Sequence, residues 1–395
     1  MRGHLLRSVL VLAVAAGLSL PRASQAATDA PTHPTAPAPA PHDALQRRAL
    51  AELRVFTRWL HRYGVQGYVG EVGWPDGYRG DASKWNDLAE QWFRSADRNG
   101  LWVMVWATGE WWQTSYRLAA YEDRHRPPGV DSANTQAPVL ERHPTTAAYL
   151  RGVTVAGGEF GAPQVVPTST FSNRRPGRYD TAYHFDHAAT FRFLASRGVE
   201  LVRIPFRWER LQPSPGAPLD PNELARLKAV VARAGAAGLD AILDMHNFGG
   251  YYLDDGGRGV RRTLGSPELP FADFADVWRR IARNFRHDPA IAGYGLMCEP
   301  VFIRAEGSRT PAEVWRAASR RAVVAIRSAG DDTLVLVSGY QWSGVQHWSR
   351  WNPRPWIHDD NVRYEAHQYF DRDNSGQYMR SYAAEVRDAK RRGYS

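Results

Sequence analysis

From residue 44 onward the chain alternates between two hydrophobic rhythms. Leu45, Ala49, Leu53, Phe56, Leu60 and Tyr63 recur at helical spacing, with Asp43 placed to cap the start and Gly64 to stop the end. This predicts a helix over about 44–63. Similar amphipathic patterns predict helices over about 84–99, 184–197, 221–236, 271–286, 311–328 and 379–391, and a short one near 113–121. Between them, short apolar runs predict strands at 66–70, 101–106, 151–155, 200–204, 239–244, 292–297, 333–338 and 362–367. A polar, Pro-containing stretch runs from the short helix to about 148, and the Trp-rich loop over 339–360 leaves room for one short helix only. Strands apolar on both faces and separated by helices predict an α/β fold, a closed parallel (β/α)8 TIM barrel. An open doubly wound sheet is the alternative. No glycine-rich phosphate loop follows an early strand, which weighs against it.

The ends of the chain change this picture little. Residues 1–26 carry Arg2 and Arg7, an apolar run from Val9 to Ala15 and a small-residue site at Ser24-Gln25-Ala26, the pattern of a cleaved signal peptide. The run is too short to span a bilayer. Residues 27–44 are a Pro/Ala/Thr-rich stretch that cannot bury a core and reads as a linker, leaving a single barrel over 45–395. The sole cysteine, Cys298, excludes an internal disulfide. A formal net charge of +9 would suit nucleic acid, but its basic residues are scattered with acids along helices, as in AELRVFTRWLHR. Solvated helix faces look like this, and no nucleic-acid partner is expected.

Barrel enzymes carry their working residues at the C-terminal ends of the strands. There the chain offers Glu71 after QGYVG, Trp106 closing LWVMVW, Arg203 in ELVRIPF, His246 and Asn247 after AILDM, Glu299 after YGLMC, and His367 and Tyr369 after VRYEA. Two carboxylates among polar and aromatic side chains are what glycoside cleavage needs. One attacks the anomeric carbon; the other protonates the leaving oxygen and then deprotonates water.

The segments RGVTVAGGEF, ASRGVELVRIPFRWERLQP, LDAILDMHNFGGYY, AGYGLMCEP, VRYEAHQYFD, GVQGYVGEVGWP and VMVWATGEWW together resemble glycoside hydrolase family 5, the cellulase-type barrels of clan A. The resemblance touches every predicted strand except TLVLVS, and its order is cyclic. The family pattern begins at 151 and runs to 371; its last two units stand at the front of this chain. The resemblance thus implies a circularly permuted barrel in which the family's seventh and eighth strands come first, with 122–150 as the new connection. A fusion of the tail of one barrel (45–125) with the head of another (150–395) is the rival.

Residue by residue, the resemblance implies Glu299 as acid/base and Glu71 as nucleophile, with Glu159 in AGGEFG as the competing nucleophile on string alone. Arg203 matches an arginine that keeps the nucleophile ionised, or braces the sheet. His246 and His367 match family histidines, Tyr369 a tyrosine near the nucleophile, and Trp106 a floor under the sugar. The histidines lack helical i, i+4 pairing and no carboxylate cluster accompanies them, so no metal is expected. Trp74, Trp111, Trp112, Trp208, Trp342, Trp348, Trp351 and Trp356 are candidates to line a cleft, with about half of them in the core instead.

One position departs from the family. Cys298 stands where an asparagine would bond the sugar 2-hydroxyl, and a thiol is a weak donor. The expected activity is a secreted or periplasmic, retaining endo-β-glycosidase on a β-1,4-glucan, without cofactor, acting as a monomer on a β-linked polysaccharide or oligosaccharide and free of the membrane after signal cleavage. A β-mannanase or other hemicellulase, and a catalytically weak carbohydrate-binding barrel, stay open.

Overall fold

A computed structural model describes residues 42–125, 128–163, 165 and 170–394. The proposed signal peptide and nearly all of the linker lie outside the described residues. Eight parallel strands close a barrel: β1 (Gly67–Gly73), β2 (Trp102–Thr108), β3 (Arg151–Val155), β4 (Leu201–Phe206), β5 (Asp240–Met245), β6 (Ile291–Gly295), β7 (Val335–Ser338) and β8 (Val362–Tyr369). Each pairs with its neighbours in sequence, and β8 closes on β1 with Gly67 opposite Tyr364 and Gly73 opposite Tyr369. The outer layer comprises α1 (Ala44–Tyr63), α2 (Ala82–Arg98), α3 (Ala188–Ser196), α4 (Pro221–Ala236), α5 (Phe271–Phe285), α6 (Pro311–Ser328) and α7 (Tyr382–Arg391).

Local chemistry fixes the helix ends. Asp43 accepts from the Gln46 backbone at 2.9 Å while Gln46 accepts from the Asp43 backbone at 2.9 Å, a reciprocal capping box. Gly64 closes α1 in the left-handed region at φ 63°. The fold therefore begins at Asp43, two residues inside the expected linker.

The barrel interior is layered by the two-residue period of its strands. Tyr68, Met104, Leu201, Ile242 and Leu336 form a dry inner cluster. Two residues further along three of those strands, Arg203, Asp244 and Ser338 face the same interior, and Glu365 joins them from β8. Apolar packing thus gives way to a buried polar layer toward the C-terminal mouth. Gly70 and Gly295 make that layer possible, because a Cβ at either would collide with the Glu365 or Asp244 carboxylate.

Four expectations need correction. The short helix near 113–121 does not form. Gly109 at φ 143° and Gln113 at φ 50° confine helical geometry to a single turn at Glu110–Trp112, and the chain then lies along β2, with Ala120 N–H on the Ala107 carbonyl at 2.9 Å. The helix expected from 184 starts at Ala188, leaving 184–187 outside it. β1 continues through Glu71 rather than ending before it, and β8 through His367 and Tyr369, so these side chains are held by strand pairing. A hairpin of Gly250–Asp255 with Arg258–Thr263, turning at Gly256-Gly257, lies where no strand was expected.

Candidate active site

The mouth of the barrel gathers the sequence-predicted residues from the ends of six strands. Glu71 (β1) is almost fully buried. Its Oε1 accepts from Arg203 Nη1 (β4) at 2.8 Å and from the Cys298 thiol at 3.4 Å. Its Oε2 accepts from the Tyr369 hydroxyl (β8) at 2.7 Å. Burial pushes Glu71 upward, but His367, Arg203 and His246 with the Tyr369 hydrogen bond outweigh it and hold its pKa at about 2.

Glu299 follows β6 in the left-handed region at φ 49°. That conformation is uncommon for a residue with a Cβ and marks a side chain set by its surroundings. His367 Nδ1 lies 2.9 Å from Glu299 Oε1 and 3.6 Å from Glu71 Oε2, so one imidazole nitrogen stands between the two glutamates. Its Nε2 faces Glu365 Oε1 at 3.1 Å. Burial would strip the ring of its proton; Glu71 and the hydrogen bonds to Glu299 and Glu365 reverse this and raise it to about 10. For Glu299 burial dominates: it raises the carboxyl above its ordinary 4.5 against the His367 hydrogen bond, with the Glu71 charge adding to the rise. A carboxyl held low beside one raised above its ordinary value is the ordering that nucleophilic attack with proton donation requires.

Around this pair, Arg203 also meets Asp244 Oδ2 at 3.0 Å and Glu365 Oε1 at 3.4 Å, and Ser338 donates to Glu365 Oε2 at 2.8 Å. His246 Nδ1 lies 3.1 Å from Asp244 Oδ2, and its ring stacks on Trp106 with centroids 5.6 Å apart. Trp106 Nε1 donates to the Tyr116 hydroxyl at 2.8 Å. Asp244, Glu365, Ser338 and Tyr116 were not singled out from sequence. The available signal was the strand period, which puts Asp244 on the face of Ile242 and Glu365 on the face of His367.

Asn247 does not join the group. It is fully buried, donating to Glu209 Oε2 at 2.8 Å and accepting from the Trp208 backbone at 2.9 Å, which makes it a brace beneath the loop. Glu159 is buried elsewhere in the fold's polar interior: its Oε2 accepts from the Gly157 backbone at 2.9 Å, and burial raises its pKa. It touches neither Arg203 nor Tyr369 by a hydrogen bond. Burial first, then the Glu71 charge, pushes the Cys298 thiol well above its ordinary 9.0, so it stays protonated.

The tryptophans divide as expected. Trp74, Trp208, Trp348 and Trp356 are core residues. Trp111 is exposed, and Trp112 and Trp342 are half-buried. Ring contacts run in an arc from Trp112 to Trp106, His246, Phe248, Trp342 and the exposed Phe302, and His246 brings this arc within 4.8 Å of the Glu71 carboxylate.

The model of the cellulase family, glycosyl hydrolase family 5, matches residues 154–393. An endoglucanase of Neurospora crassa, gh5-1, is 27% identical over 245 residues, covering 60% of this chain and 54% of its own length. A probable endo-beta-1,4-glucanase B of Neosartorya fischeri is 29% identical over 235 residues, covering 57% and 61%. The chain thus spans between half and two thirds of these curated relatives. Among solved structures, Pseudomonas stutzeri endoglucanase Cel5A in complex with cellobiose is 36% identical, with 58% of this chain and 62% of that one covered and a TM-score of 0.48. The endo-beta-1,4-glucanase Xac0029 of Xanthomonas axonopodis pv. citri is 31% identical, with 61% and 72% covered and a TM-score of 0.49.

Proposed function

This chain belongs to glycosyl hydrolase family 5, and from that premise we propose that it is a secreted, retaining endo-β-1,4-glucanase. The carrying observation is the placement of His367 Nδ1 between Glu299 and Glu71. The nearest oxygens of the two carboxylates can be no further apart than the sum of those contacts, 2.9 Å and 3.6 Å. That ceiling falls at the lower edge of the roughly 6.5–9.5 Å that an inverting pair needs, and accommodates the about 5–5.5 Å of a retaining pair. Glu71, the ionised member, attacks the anomeric carbon and forms the glycosyl-enzyme. Glu299, the member whose carboxyl is raised, gives its proton to the leaving oxygen and then takes one from water. Arg203 and Tyr369 keep the Glu71 carboxylate ionised and oriented, and the aromatic arc through Trp106 and Trp342 supplies faces for sugar rings. Relatives named as an endoglucanase and as a probable endo-beta-1,4-glucanase support the β-1,4-glucan as substrate. Secretion rests on the basic, apolar and small-residue pattern of residues 1–26.

The barrel is read as circularly permuted. Two observations support this. The family model takes up the chain only from β3 onward, leaving β1 and β2, with Glu71, ahead of it. The helix that ends the chain also lies against the one that begins the barrel, the Tyr382 hydroxyl donating to Asp43 Oδ2 at 2.7 Å.

Cys298 favours a second reading, a barrel that binds glucan and cleaves it slowly, because its thiol is turned to Glu71 Oε1. Reducing-end release from soluble β-glucan separates the two. Glu71→Gln and Glu299→Gln should each lower kcat by more than about a thousandfold, in line with removal of a group central to the chemistry. Undiminished release by either variant would sink the assignment.

A further inference from the structure

Away from the carboxylate pair, three donor side chains from two separate segments converge on one point. Glu110 Oε2 lies 3.0 Å from His184 Nε2 and 2.7 Å from His187 Nδ1. All three donor atoms lie within 4.8 Å of one another. We infer that Glu110, His184 and His187 form a site for a divalent transition-metal ion of the zinc type, which ties the turn after β2 to the segment that leads into α3.

The donor set selects the ion. Two imidazoles and one carboxylate suit zinc and its neighbours, whereas calcium and magnesium take oxygen ligands. Zinc bonds of about 2.0–2.2 Å set neighbouring ligand atoms a little over 3 Å apart, close to the separations found here. A second set of groups supports the first. Asp180 Oδ1 sits 2.9 Å from His184 Nδ1, the nitrogen away from Glu110. A carboxylate on the far nitrogen is how proteins orient a metal-binding histidine and raise its basicity. Glu110 is itself held, its Oε1 accepting from the His187 backbone at 2.8 Å and its own N–H donating to Asp186 Oδ2 at 3.1 Å.

An independent observation points to a missing positive charge. Asp123 lines the same cavity of about 520 Å³ as Glu110, His184 and His187. It is only 8% exposed, and its Oδ1 has no hydrogen-bond partner among the described residues. Buried carboxylate oxygens without partners are costly, and a cation nearby removes the cost. Asp180 lines that cavity too, so three carboxylates and the two imidazoles share one opening.

The position gives the ion a structural task. Glu110 and Asp123 lie in the part of the chain ahead of the family match, while Asp180, His184 and His187 lie within it. The ion would fasten the two parts at the rim, beside Trp111, whose ring stacks on Phe160 with centroids 5.7 Å apart.

The test is zinc binding to the full chain after chelation and gel filtration, read by elemental analysis and by calorimetric titration with Zn²⁺ alone. The wild type should retain one equivalent and gain several degrees in Tm. His187→Ala removes a half-exposed side chain and should fold, yet lose both the equivalent and the Tm gain; Glu110→Gln should do the same. Glu71, His246 and Cys298 also bring three donors together in the barrel mouth, so Cys298→Ser is the control and should keep its zinc. Zinc that survives His187→Ala, zinc that leaves with Cys298→Ser, or a wild type that retains none would each overturn the site.

Discussion

Cys298 turns its thiol toward Glu71: Sγ lies 3.4 Å from Oε1, the oxygen that also accepts from Arg203. The residue before Glu299, the proposed acid/base, is therefore spent on Glu71, the proposed nucleophile, with a weak donor. Restoring an amide should let the same position reach the sugar 2-hydroxyl, a bond that strengthens as the transition state forms. Cys298→Asn should raise kcat/KM on soluble β-glucan about tenfold, the effect of one hydrogen bond worth roughly 1.4 kcal/mol in the transition state. An unchanged or lower rate, with Tm preserved, would mean the thiol is not what limits turnover.

Stability should depend on pH in a direction set by Glu71 and His367. Glu71 falls from its ordinary 4.5 to about 2 on folding, so its contribution is present above pH 4.5 and is lost as pH drops toward 2. His367 rises from 6.5 to about 10, so its contribution is complete below pH 6.5 and is lost as pH climbs toward 10. Tm measured across pH should therefore plateau between about 4.5 and 6.5 and fall on both sides. Glu71→Gln should flatten the acid arm. An acid arm that keeps its slope in that variant would remove Glu71 as its cause.

Phe302 at one end of the aromatic arc, and Trp111 next to Trp112 at the other, are residues that packing does not require. Phe302 is 58% exposed and Trp111 37% exposed, yet each has a ring neighbour, Trp342 and Phe160. Stacking on sugar faces is worth about 0.5–1.5 kcal/mol per ring, so Phe302→Ala and Trp111→Ala should each raise KM for long oligosaccharides by roughly two- to tenfold. Tm should move by less than about 2 °C. A fall in kcat at constant KM would place these rings outside the binding cleft.

Much of the site was legible because strands repeat every two residues and barrels present their chemistry at one end. That logic reached Glu71, Arg203, His246, Glu299, His367 and Tyr369, and the structure brings them together. It failed where burial depends on a partner across the barrel. The strand period puts Asp244 and Glu365 on inward faces, but no local signal shows the partners that make an acid tolerable there, Arg203 and His367. Asn247 failed for the opposite reason, since its place after a strand suggested substrate while its amide belongs to Glu209. The hairpin at 250–263 carried an Asp-Gly turn signal that the polar, arginine-rich return strand obscured.

The permutation makes a stronger demand. If 42–146 and 148–394 are complementary parts of one barrel, the chain should fold equally well in the family's order. A variant starting at Ala148, running to Tyr394, crossing a flexible linker to His42 and ending at Thr146 restores that order. The cut falls in an exposed loop, and the segment before it stays anchored through Gln136 Nε2 on the Trp74 carbonyl at 3.1 Å and His143 Nδ1 beside Asp97 Oδ2 at 2.6 Å. The linker must return along α7, roughly 15 Å at the rise of an α-helix, because Tyr382 at its start is the residue that meets Asp43. About ten Gly/Ser residues span that distance without strain. The rearranged chain should sediment as a monomer, melt within about 5 °C of the natural order and keep Glu71-dependent hydrolysis, since loop closure changes little when neighbouring ends are joined. Two halves drawn from different barrels would behave otherwise: each would seek its missing partner in a second chain, and activity would rise with protein concentration. A concentration-dependent dimer in both orders would overturn the single closed barrel, and with it the pairing of Glu71 and Glu299 within one chain.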